Sequence, residues 1–81
     1  MARAVAGLRA GLPLSRALEA LTEAFRAAGI DTPQLDGRVL AGHALGIGRA
    51  RLVADGERVL DAREIDALDA LAARRIAHEP V

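Results

Sequence analysis

Leu14, Leu18, Leu21 and Phe25 recur at intervals of four, three and four residues, and Ala17, Ala24 and Ala28 widen the same stripe. Arg16, Glu19, Glu23 and Arg26 occupy the opposite side. This is the 3.6-residue period of a helix with one buried face, and no segment of the chain shows the two-residue alternation of a half-buried strand. The spacing predicts a helix over residues 14–28, capped by Ser15 or a neighbour. Gly29, which tolerates the left-handed conformation, closes it. Arg16–Glu19 and Glu23–Arg26 offset the repulsion between Glu19 and Glu23 along the polar side.

A second helix is framed by its punctuation. Thr32 offers an N-cap hydroxyl, and Pro33 stands at the one helical position where a missing N–H costs nothing. Gly46 and Gly48 stop the helix, giving residues 33–45. Asp36, Leu40 and His43 fall on one face beside Leu35 and Val39, so a mixed polar and apolar face is expected to turn inward. After the glycines, residues 49–55 have room for barely two turns, docked by Leu52 and Val53. Gly56 ends that short helix and a loop runs through Val59.

The last helix is announced by Asp61-Ala62-Arg63-Glu64, which reads as a capping box, with Leu60 and Ile65 placed to form the hydrophobic staple around it. Ile65, Leu68, Leu71, Ala72 and Ile76 make its buried stripe, and Arg74 and Arg75 complement the dipole of its final turn near Ala77. Residues 1–13 carry two glycines and no clean helical stripe. They read as a flexible N-terminal arm that Pro13 separates from the first helix. The expected fold is all-α: a small bundle of four helices, the third short, over residues 14–77.

Composition limits what such a bundle does. Of 81 residues, 52% are apolar, but much of that is alanine, so the core is small and a marginal fold is expected unless a neighbour covers part of it. Eleven arginines balance eleven acidic residues, and there is no lysine. A dedicated nucleic-acid binder carries a basic surplus, so no nucleic-acid partner is expected. The absence of cysteine removes disulfides and thiolate metal sites and suits the cytoplasm. Residues 2–14, interrupted by Arg3 and Arg9, are too short and too charged to span a membrane or to act as a signal peptide.

The chemistry-bearing residues form no catalytic constellation. His43 and His78 stand far apart without metal-ligand spacing. Ser15 has neither a nucleophile-elbow motif nor the preceding acidic residue of a carrier domain. Gly46-Ile47-Gly48 lacks the third glycine and the leading strand of a dinucleotide loop. No catalytic, cofactor-binding or metal residue is therefore assigned. Three polar residues remain on apolar faces as structural candidates: Asp36, His43 and Arg75. Either their stems pack while their polar ends reach water, or Asp36 bridges to an arginine, with Arg75 the first choice, and so fixes the second helix against the last.

The order of these features resembles the N-terminal domain of the HemK/PrmC family, the peptide-chain release factor glutamine methyltransferases. The resemblance is carried by Ala28-Gly29-Ile30, Thr32-Pro33, Leu35-Asp36, Leu40, His43, Leu45-Gly46, Arg49 and Leu52. It continues through Asp61, Leu68, Leu71, Arg74-Arg75 and Glu79-Pro80-Val81. Gly37 stands where the family usually has alanine, and Ala41-Gly42 soften its leucine run. The resemblance covers residues 14–81.

It implies that a catalytic domain follows Val81, with residues 78–81 the start of the linker to it. That domain would bind S-adenosylmethionine and methylate the glutamine of the release factor's Gly-Gly-Gln tip. The catalytic and cofactor motifs belong to it, so residues 1–81 would not transfer a methyl group alone. Their implied role is to help bind and orient the release factor. Exposed arginines such as Arg49, Arg51 and Arg74 are either solvated surface or contacts to acidic surface on that partner. Two other readings compete: a free-standing helical interaction module, and a helix-turn-helix DNA binder turning at Gly46–Gly48. The second of these is opposed by a short following helix and by zero net charge.

Overall fold

The computed structural model describes residues 3–77. The expectations for His78 and for the Glu79-Pro80-Val81 linker lie outside them. Four helices follow in order: α1 (Leu14–Ala27), α2 (Pro33–Leu45), α3 (Arg49–Ala54) and α4 (Ala62–Ala77). Among the described residues the only extended pairing is an isolated antiparallel bridge between Pro13 and Val59. The fold is a small all-α bundle.

The helix ends show which sequence signals operate. At α1, Ala28 N–H donates to Ala24 O, Gly29 N–H to Arg26 O and Ile30 N–H to Phe25 O. With Gly29 at φ 81°, this is a Schellman motif that satisfies the terminal carbonyls. Gly46, at φ 69°, closes α2 in the same left-handed conformation. At α4 the capping box is formed in both directions. Glu64 N–H donates to Asp61 Oδ1 at 2.8 Å, and Asp61 N–H donates to Glu64 Oε1 at 3.0 Å. Leu60 and Ile65 on either side are fully buried.

Two expected caps are replaced. α1 begins after Pro13, and no side chain, Ser15 included, caps it. Its first N–H groups are taken by backbone instead: Leu14 N–H donates to Arg58 O at 2.8 Å and Ser15 N–H to Gly56 O at 2.9 Å. Carbonyls of the α3–α4 loop thus do the work of a capping side chain. At α2, Thr32 occupies the N-cap position, but its hydroxyl donates to Asp36 Oδ1 at 2.9 Å rather than accepting from the helix backbone.

Residues 3–12 are not a flexible arm. Val5, Leu8 and Leu12 are buried in the same core as Leu14, Ala17, Leu21, Phe25, Leu60, Ile65 and Leu68. Asp69 on α4 accepts from Ala4 N–H at 3.0 Å and Val5 N–H at 2.8 Å, and Arg3 pairs with Asp66 at 2.6 Å. Further along, Gly11 N–H donates to Leu60 O and Leu60 N–H to Leu12 O. Gly7 and Gly11, at φ 93° and 94°, fold this segment into turns rather than a helix. Its apolar residues are therefore delivered to the core without any helical signal in the sequence.

The inward face of α2 is turned from the one expected, although Leu40 does pack against the core. Its buried residues are Gly37 and Ala41, one turn apart, while Leu35, Val39 and His43 are exposed. A Cβ built on Gly37 would lie 3.6 Å from both Leu21 Cβ and Thr22 Oγ1 of α1. The two helices pack through the smallest side chains available, and close approach takes precedence over burial of the larger ones. On α3, Leu52 is buried but Val53 is not: adjacent residues on a helix point about 100° apart, so one turn docks only one of the pair.

Candidate protein-docking face

Leu35, Val39 and His43 stand one turn apart along α2 and form an exposed ridge. A shallow hollow lies on each side. One runs from the ridge to α4 and is lined further by Asp36, Leu40, Leu71, Arg74 and Arg75. The other runs from the ridge toward α3 and is lined further by Arg38, Gly42, Ile47, Arg49 and Leu52. Leu35 is 49% exposed and Val39 62%, so two apolar side chains of the ridge are left largely uncovered within the described residues.

The hollow beside α4 is bordered by an ion pair. Arg75 donates to Asp36 Oδ2 through Nε at 3.2 Å and Nη2 at 2.9 Å, while Asp36 Oδ1 accepts from Thr32. Both guanidinium bonds reach one carboxylate oxygen, leaving the other for the hydroxyl. The bond set ties the first turn of α2 to the last turns of α4, with both side chains still in partial contact with water. Of the three structural candidates, Asp36 and Arg75 are thus brought together. His43 is on the same face but is exposed and shares no hydrogen bond with either. Leu35 and Val39, read from sequence as inward-facing, are instead the centre of the exposed face. The signal that locates them is the Gly37–Ala41 pair, which claims the inward side.

Among the described residues no polar or charged side chain is buried and no group of His, Asp and Glu is arranged to hold a metal ion. No described helix is long and apolar enough to cross a membrane.

The sequence pattern of the PrmC N-terminal domain matches residues 16–81. The chain belongs to this family. Among its relatives is a release factor glutamine methyltransferase of Rhodospirillum rubrum, 39% identical over 70 residues that make up 86% of this chain and 22% of the relative. Another, of Caulobacter vibrioides, is 37% identical over 70 residues, 86% of this chain and 24% of the relative. A third, of Mycolicibacterium smegmatis, is 48% identical over 40 residues, 49% of this chain and 14% of the relative. No solved structure matches the chain. This PrmC N-terminal domain thus spans less than a quarter of the length of the relatives it matches along most of its own.

Proposed function

We propose that this PrmC N-terminal domain is the helical part of a release factor glutamine methyltransferase, and that it binds and orients the release factor for a catalytic domain. The observation that carries this reading is the family match over residues 16–81, together with the name shared by its relatives. On this reading, methyl transfer from S-adenosylmethionine to the Gly-Gly-Gln glutamine belongs to the catalytic part and takes place in the cytoplasm. The residues described here do not fit that cofactor: no strand leads into a glycine-rich turn, and no polar side chain is buried to receive a ribose or a carboxylate. Their contribution is positional. A separate docking module holds the substrate at high effective concentration near the reacting centre, and that acts on KM rather than on the chemical step.

The test compares the full-length methyltransferase with a version lacking residues 1–77, using the intact release factor as substrate. Removal is expected to raise KM by about tenfold or more while kcat at saturation changes little. A short peptide spanning the Gly-Gly-Gln tip is expected to be methylated equally by both. An unchanged KM for the intact release factor would overturn the proposal.

A further inference from the structure

We infer that the α2 ridge of Leu35, Val39 and His43, with the hollow on each side of it, is the surface that receives the release factor. The part of the release factor it receives presents apolar side chains flanked by carboxylates. The inference deepens the proposed function and rests on it.

Charge is what specifies the occupant. The chain is neutral overall, yet the two hollows are rimmed by Arg74 on one side, where Arg75 is already paired with Asp36, and by Arg38 and Arg49 on the other. Asp36 is the one carboxylate lining either hollow, and both of its oxygens are already engaged, one by Arg75 and one by Thr32. The face is therefore an apolar ridge between two cationic margins. A segment that inserts apolar side chains into the hollows and places carboxylates over the arginines matches it in both respects.

The same pattern disfavours the other occupants. Two copies paired isologously through this face would set one arginine margin against the other, at a cost in like-charge repulsion. Nucleic acid would meet Leu35 and Val39 where its phosphates need cations, and the hollows offer no Phe, Tyr or Trp for a base to stack on, only the imidazole of His43. Val53, 71% exposed, marks a different hollow between α1 and α3, but that one is lined by Glu19 and Glu23 as well as Arg26 and Arg38. With both signs present it selects no particular partner.

The test measures binding of the 81-residue chain to the intact release factor of the same organism, by calorimetry and by stopped-flow association at low and high salt. Three variants are compared, each at an exposed helical site and each checked for unchanged helicity: Val39→Glu, Arg74→Glu and Arg16→Glu. The last, on α1, stands outside both hollows of the docking face. Val39→Glu is expected to weaken binding by about tenfold or more, because it places an unpaired carboxylate in the desolvated centre of the contact. Arg74→Glu is expected to slow association and flatten its salt dependence. Arg16→Glu is expected to match the wild type.

If the wild-type chain binds while Val39→Glu and Arg74→Glu bind equally well, this surface is wrong and the release-factor reading stands. If the wild-type chain fails to bind, that reading falls and takes this surface with it. If sedimentation shows a dimer that Val39→Glu dissociates, the occupant is a second copy and the inference is overturned.

Discussion

Replacing Gly37 with alanine is expected to stabilise this domain, and the same replacement at Gly42, five residues further along the same helix, is not. Both glycines lie inside α2, and neither has the positive φ that would make a side chain costly in itself. In a helix interior, alanine is favoured over glycine by about 1 kcal/mol, much of it through the lower entropy of the unfolded chain. What separates the two sites is the space for a Cβ. At Gly37 its nearest neighbours would be Leu21 Cβ and Thr22 Oγ1 at 3.6 Å, an ordinary van der Waals contact. The propensity gain is then retained, and for a domain of this size it raises Tm by roughly 4–8 °C.

At Gly42 the new Cβ would stand 3.0 Å from the carbonyl oxygen of Ile47. That oxygen is backbone, in a turn held by the Ile47 N–H bond to Gly42 O, and is not free to move aside as a flexible side chain is. Relieving such crowding costs about 1–3 kcal/mol, which cancels or exceeds the gain. Urea unfolding followed by far-UV circular dichroism reads both variants. Equal stabilisation of the two, or a loss of stability in Gly37→Ala, would refute the reasoning and imply a different approach of α2 to α1 and to the loop after it.

Other expectations follow from the packing. Leu8→Ala removes a nearly buried side chain from the core and should destabilise by about 2–4 kcal/mol; a change within a few tenths would mean that the N-terminal segment is not part of the fold. A double-mutant cycle on Asp36→Ala and Arg75→Ala should give a coupling of about 0.5–1 kcal/mol that shrinks in high salt, since both groups remain partly solvated. Zero coupling at low salt would dissolve the bridge. Asp61→Ala should cost about 1 kcal/mol through loss of the α4 cap, and Asp61→Asn much less, in thermal unfolding of the two variants side by side.

The helices themselves were legible from residue spacing and punctuation. Pro33 and Gly46 bound α2 as expected, and the Asp61–Glu64 box opens α4, because these signals act within a few residues of one another. Legibility failed where the deciding partner is remote in sequence. The cap of α1 comes from carbonyls of residues 56 and 58, and the anchor for Ala4 and Val5 is Asp69. No local pattern around Ser15 or Gly7 contains those partners. The orientation of α2 failed for a different reason. A reading by apolarity assigns Leu35 and Val39 to the interior, whereas the bundle uses Gly37 and Ala41 there to bring two backbones close together. The candidate site was therefore half visible. Asp36 and Arg75 stand out in the sequence as polar residues on apolar faces and do meet, but the ridge beside them emerges only once the small residues have taken the inward side.

Amide hydrogen exchange on the 81-residue chain, with and without saturating release factor, tests the central claim most directly. The account predicts added protection across α2 and the last turns of α4, with α1 and the segment around Val5 exchanging as in the free chain. Protection centred on α1 or on residues 3–12, with α2 unchanged, would contradict it.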